Sequence, residues 1–258
     1  MRTKSRLVRA AFNLAVVAAF ALGCDADATP GRPKPGVPQA PQLEPGMALL
    51  RGAVTDLQGN AIAGAAVVVL ETGAQTSTGD DGRWELMVAA ASTVTVRAEA
   101  TGFAPALAGA VILASGQTSA GHDLALVTSA RLDALAQLGG PPGTGRGVIA
   151  VTIQSMSGAC HPEGGLLMLE PSAFGRIVYA QPDADATPEP SLTAMQTASA
   201  RVGAWIVGVV PPGAYYTLRF AKPGCNPLPF PVDVTESSHT GQLAIQAGAV
   251  SHAIVFTE

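Results

Sequence analysis

Apolar and polar residues alternate with a period of two through most of the chain. Leu50, Gly52 and Val54 alternate with Arg51, Ala53 and Thr55, and Ala65, Val67 and Val69 repeat the spacing. Trp84, Leu86 and Val88 follow, then Val94, Val96 and Ala98, and Leu124 and Leu126 close the run. Successive side chains on a strand point to opposite faces, so this pattern predicts half-buried strands. Turn-forming clusters separate them, at Asp56 to Asn60 and at Thr78 to Gly82. Short strands broken by frequent turns predict an all-β, antiparallel sandwich. The alternation resumes after Gly147 with Ile149, Val151 and Ile153, and runs through Ala204 and Ile206, Leu218 and Phe220, Val232 and Val234, to Val250, Ile254 and Phe256. Between the two halves the period changes. Leu132, Leu135 and Leu138 recur at every third position, with Ser129 as candidate N-cap and Gly139-Gly140-Pro141 as a stop. One short linking helix is expected there, at the junction of two domains.

The halves share an order of features. Gly82-Arg83-Trp84 matches Gly203-Ala204-Trp205, Thr78 matches Thr197, and Thr101-Gly102-Phe103 matches Pro223-Gly224-Cys225. The starts, Gly52 and Gly147, lie closer together than these pairs do. The second half therefore carries an insertion, assigned to Gln181 to Ala200, which its Pro and Asp content predicts to be an exposed loop.

The N-terminus reads as an export signal. Arg2, Lys4, Arg6 and Arg9 precede Ala10 to Gly23, which is uncharged and mostly apolar. That stretch is too short to cross a bilayer and fits a signal-peptide core. The next residues, Ala21-Leu22-Gly23-Cys24, resemble the bacterial lipobox, in which the cysteine is lipidated and becomes the new N-terminus. The competing reading is ordinary cleavage at Ala26-Asp27-Ala28, with secretion. Without residues 1–23, eleven bases face nineteen acids, because the first 23 residues hold four of the fifteen bases and no acid. An acidic chain lacks the clustered Lys and Arg that nucleic acid requires. Residues 24–46 form a Pro-rich, extended linker. The cysteines are Cys24, Cys160 and Cys225. If Cys24 carries lipid, Cys160 and Cys225 remain to form a disulfide in an oxidising compartment, the alternative being two buried thiols.

The first half resembles the carboxypeptidase regulatory-like domain, a transthyretin-like seven-stranded β-sandwich. The resemblance is carried by Gly52 to Asp56, Gly59 to Val67, Thr76 to Gly82, Trp84 and Ala100 to Phe103, across Ala48 to Val127. The second half is similar more loosely, through Gly203, Trp205 and Val209 to Tyr215. The resemblance implies two small antiparallel seven-stranded-type sandwiches, at 47–127 and 147–258, joined by the helix and loop of 128–146. It implies accessory modules for stability, spacing or binding, and no catalytic residues.

Several motifs invite a chemical reading. Gly140 to Gly147 imitates a phosphate-binding loop, but Arg146 stands where the lysine belongs and Gly147 where the Mg²⁺ hydroxyl belongs. The segment also follows a helix and opens a strand, so no nucleotide is expected. His122, His161, His239 and His252 show no metal-ligand spacing, and His252 lies in phase with packed neighbours. Asp80-Asp81 and Asp183-Ala184-Asp185 are expected to be solvated loop acids rather than a calcium site. No catalytic residue, cofactor or metal is assigned. The expected function is a non-enzymatic cell-envelope protein, held to a membrane by its lipid, with structural or interaction roles. The alternative is a glycan-binding surface protein using Trp205, Tyr179, Tyr215 or Tyr216 to stack on sugar.

Overall fold

The structure is a computed structural model. It describes residues 43–138, 146–156, 158, 160, 161, 163–170, 176–182, 188–191, 197, 203–209, 217–229, 232–234 and 237–258. Lys- and Glu-poor, Val-rich segments form strands almost throughout, and Ser129–Leu138 is the one helix among the described residues. These residues fall in one compact unit, 41–258.

Met47–Asp56 is the organising strand of the first half. It pairs antiparallel with Arg83–Ala89 on one edge, and parallel with Thr118–Ser119 and Leu124–Thr128 on the other. Gly147–Ser155 plays the same part in the second half, antiparallel to Ala204–Val209 and parallel to Val250–Thr257. The expectation of wholly antiparallel sheets is therefore corrected to mixed sheets. Period-two patterning reveals a strand but not its direction, and only neighbours joined by a tight turn are obliged to run antiparallel.

The largest sheet crosses both halves. Among the described residues its order is Pro188–Ser191, Arg176–Pro182, Ala204–Val209, Gly147–Ser155, Val250–Thr257, Ala106–Leu107, Val96–Glu99, Ala66–Val69 and Gln75–Ser77. The seam is the parallel pairing of Val250 and Ser251 with Ala106 and Leu107. Three buried clusters follow. One lies within the first half, around Leu50, Val54, Val67, Trp84, Val96 and Leu124. Another lies within the second half, around Ile149, Val151, Leu167, Ile206 and Phe220. The third draws on both, uniting Leu57, Ala125 and Val127 with Leu132, Leu135, Val148, Trp205 and Val250. Strands with a cluster on each face lose their alternation, and Gly147 to Val151 and Leu124 to Val127 are buried without a break.

The helix sits on the third cluster through Leu132 and Leu135. Its cap is one residue earlier than expected: Thr128 Oγ1 accepts from the N–H of Arg131 at 3.3 Å. At the other end the guanidinium of Arg176 donates to the Leu138 carbonyl at 3.1 Å, satisfying one of the carbonyls a helix terminus leaves open. Arg176 opens the strand Arg176–Pro182 just before the inserted segment. Within that segment, expected as an exposed loop, Gln181, Pro182 and Pro188–Ser191 instead take part in a β-hairpin with Arg176–Pro182. The remaining residues from Gln181 to Ala200, apart from Thr197, lie outside the described residues.

The internal repeat extends to hydrogen bonds. In the first half Gly64 N–H donates to Thr78 O, Thr78 N–H to Ala65 O, and Ala65 N–H to Thr78 Oγ1 at 2.8 Å. In the second, Gly164 N–H donates to Thr197 O, Thr197 N–H to Gly165 O, and Gly165 N–H to Thr197 Oγ1 at 3.0 Å. Gly64 and Gly164 both have positive φ. The match of Trp84 to Trp205 is off by one residue. Trp84 faces the first-half cluster opposite Gly52. Trp205 faces the shared cluster, whereas its neighbours Ala204 and Ile206 face the second-half cluster. Ala204, opposite Val151, shares with Trp84 the face turned to its own half's cluster. A slip of one residue exchanges the two faces of a strand.

Replacing Thr78 or Thr197 by valine keeps the volume and strands a buried N–H. Each change is expected to cost about 1–3 kcal/mol, read as comparable shifts of the urea midpoint for the two variants.

Candidate functional site

A cavity of about 300 Å³ lies against the seam, walled by Gly121 to Asp123, by His239 to Leu243 and by His252 to Val255. It brings together three histidines that the sequence leaves far apart. His122 is placed by a glycine. A Cβ on Gly52 would lie 2.2 Å from the His122 carbonyl oxygen and 2.9 Å from Trp84, so only glycine lets the Gly121–Asp123 segment approach Met47–Asp56 this closely. The segment is then tied twice. His122 N–H donates to Arg51 O at 3.2 Å, and Asp123 Oδ1 accepts from Ala53 N–H at 2.8 Å. His239 ends the strand Ser237–His239, which pairs with Val111–Ile112. Its ring meets Phe256 edge-on, with centroids 5.0 Å apart. His252 projects from Val250–Thr257, and its Nε2 lies 3.0 Å from Ala125 O. A carbonyl only accepts, so Nε2 carries the proton.

The electrostatics are those of a neutral site. Burial lowers the pKa of His122 to about 4, the nearby His239 pushes it the same way, and Asp123 opposes. Burial also lowers His239. At neutral pH both rings are uncharged and each offers one donor and one acceptor. His122 Nε2 lies 2.9 Å from Ser119 Oγ, a pairing that imitates a nucleophile and its base. Ser119 is wholly buried and is not on the cavity wall, so no substrate reaches it, and the contact is structural. Among the described residues no group of three His, Cys, Asp or Glu has the geometry to hold a metal ion. Leu218, Leu243, Ile254 and Val255 supply the apolar part of the wall.

The other candidates lie elsewhere. Cys160 and Cys225 are bonded, with S–S 2.03 Å, and pack in the second-half cluster. Cys24 lies outside the described residues. Trp205 is fully buried. Tyr179 is buried with its hydroxyl 2.9 Å from the donating N–H of Leu167, so neither ring is presented to a sugar. Tyr215 and Tyr216 lie outside the described residues, as do Asp183 and Asp185. Asp81 accepts from Arg83 N–H at 3.0 Å. The Arg146 guanidinium donates to the Gly208 carbonyl at 3.2 Å, and Gly147 opens a strand. His161 is exposed, and its carbonyl accepts from Lys222.

His122 makes stability depend on pH in a definite direction. Its folded pKa lies below its unfolded value, so the unfolded chain takes the proton first. The contribution is present above the unfolded pKa of 6.5 and is lost as pH falls toward about 4, amounting to at most about 3 kcal/mol. The melting temperature is expected to drop across that window, and the profile of His122→Gln to be flatter. Gly52→Ala forces Cβ into a backbone carbonyl and is expected to destabilise by about 2–4 kcal/mol, measured by urea unfolding.

Comparison with known proteins places these features. No curated protein sequence matches the chain. The TIE protein of Bacillus anthracis is 12% identical over 82% of this chain and 34% of its own, with TM-score 0.28. A streptococcal ancillary pilin is 13% identical over 83% of this chain and 63% of its own, with TM-score 0.22. The shaft pilin SpaA of Lactobacillus rhamnosus GG is 8% identical over 83% and 98%, with TM-score 0.22. The chain thus spans about a third of the first protein and under two thirds of the second. Likenesses this loose assign neither fold nor role. The firm match is to residues 50–127, the stretch that holds Gly52, Gly64, Thr78 and Trp84 described above. Residues 50–127 match the family model of the carboxypeptidase regulatory-like domain.

Proposed function

We propose that this is an exported cell-envelope protein, anchored by lipid on Cys24, whose Pro-rich linker carries two sandwich repeats, 47–127 and 147–258, in a structural or interaction role. The observation that carries the reading is the Cys160–Cys225 bond. It uses two of the three cysteines and leaves Cys24 alone, directly after an uncharged apolar stretch that follows four bases. A disulfide closing a long loop belongs to an oxidising compartment, which the signal-like N-terminus would reach. Two or more acyl chains on one cysteine hold a protein stably at a bilayer. The regulatory-like domain is a non-catalytic module, and its diagnostic residues here are turn glycines and a core tryptophan rather than reactive groups. The buried positions of Trp205 and Tyr179 give no support to the glycan-binding alternative.

Intact mass of the protein from its native membrane fraction tests the reading. The expected species begins at an acylated Cys24 and gains two hydrogens on reduction. Cys24→Ser is expected to release the protein into the soluble fraction with its fold unchanged. An unmodified N-terminus near Thr29 would replace anchoring with secretion.

A further inference from the structure

The two repeats differ at one edge. In the second half, Ala204–Val209 has a strand on each side: Gly147–Ser155 on one and the hairpin strand Arg176–Pro182 on the other. The hairpin takes up the backbone groups that point away from Gly147–Ser155, with Ala180 N–H donating to Gly203 O. Among the described residues the equivalent strand of the first half, Arg83–Ala89, pairs with Met47–Asp56 alone. Val54 N–H donates to Gly82 O and Ala90 N–H to Gly46 O. Residues 82, 84, 86, 88 and 90 thus turn their backbone groups inward, and residues 83, 85, 87 and 89 turn theirs outward. Local bonds occupy Arg83, whose N–H reaches Asp81 and whose carbonyl accepts from Gly79. On Glu85 and Met87 no outward hydrogen bond is found among the described residues. Met87 is also 56% exposed, the most exposed large apolar side chain of the described residues.

Among the described residues, the two ends of the largest sheet are guarded. Pro188 and Pro190 remove two N–H groups from one end of the largest sheet, and Gln75–Ser77 at its other end is only three residues long. Arg83–Ala89 has seven residues and no such device.

We propose that the open edge of Arg83–Ala89 docks onto the same edge of a second copy of this chain, as an antiparallel pair with its two-fold axis at Met87. In this register Met87 faces Met87 of the second copy, and Glu85 faces Ala89 of the second copy. About four backbone hydrogen bonds form across the axis between otherwise unpaired groups, since the Ala89 carbonyl already accepts from Ser92 Oγ. The two methionines cover one another, and the half-buried Leu86 meets Val88 of the second copy on the core side. No like charges oppose: Glu85 is held by Arg51 at 2.8 Å, and Arg83 lies beyond the paired stretch. Moving the axis to Glu85 would set two carboxylates against each other. Moving it to Leu86 would bring the two Glu85 side chains to a diagonal. The edge is thus self-complementary in one register, which is what an isologous interface requires.

The test uses the full chain, carrying Met87→Cys or Arg83→Cys, under mild oxidation. Directly opposed residues in the proposed register lie about 5.5 Å apart at Cα, within disulfide reach. Met87→Cys is expected to give a reducible covalent dimer that wild type and Arg83→Cys do not. Met87→Lys is expected to weaken wild-type dimerisation at least ~10-fold by sedimentation, because two like charges meet at the axis. Its urea midpoint should stay unchanged, since the side chain is exposed. A monomeric wild-type chain, equal cross-linking of both cysteine variants, or capture of a different polypeptide at Met87→Cys would overturn the proposal.

Discussion

The strand Val250–Thr257 has a parallel ladder on each edge, and near its end Phe256 O also accepts from Leu228 N–H. Eight of its residues register with Gly147–Ser155, and two register with Ala106–Leu107. Much of what the halves share rests on that placement. Val250 closes the cluster beneath the helix. His252 to Val255 form a wall of the cavity. Pairing at the seam makes one sheet out of what would otherwise be two. A parallel partner must arrive through a crossover, so the last strand draws distant parts of the chain into one hydrogen-bonded surface.

The same small-residue logic operates in both repeats. A threonine hydroxyl accepts the N–H that follows a glycine of positive φ, and the paired strands are locked where they enter the sheet. Glycine at 52 removes the side chain that would keep the His122 backbone away. The residues that make the domain recognisable are those that permit close approach. That is why the pattern predicts a fold so well and a chemistry so poorly.

Much of this was legible in the sequence because the signals are local. Alternation marked the strands, the spacing of Leu132, Leu135 and Leu138 marked the helix, and glycine with aspartate marked the turns. What was not legible depends on a partner distant in sequence. Trp84 and Trp205 look alike in one dimension, yet they face different clusters, because the second half is buried on both sides of its central sheet and parity loses its meaning there. The counterpart of Gly64-Ala65 was present as Gly164-Gly165, with a second glycine in place of alanine. The inserted hairpin was hidden by its prolines, which are tolerated only because they lie on an edge. The histidine cavity left no trace, since its three rings come from a loop, a strand end and a strand centre joined by topology alone.

The seam also sets an order of events. Ala106–Leu107 leaves the ribosome long before Val250–Thr257 does. Until the later strand arrives, the sheet ends at an unpaired edge and the shared cluster lacks a wall. The first half has a core of its own, but the shared sheet waits for Val250–Thr257. Pairings this remote in sequence form slowly. The shared sheet is therefore a late event in folding, whatever order the rest of the chain follows.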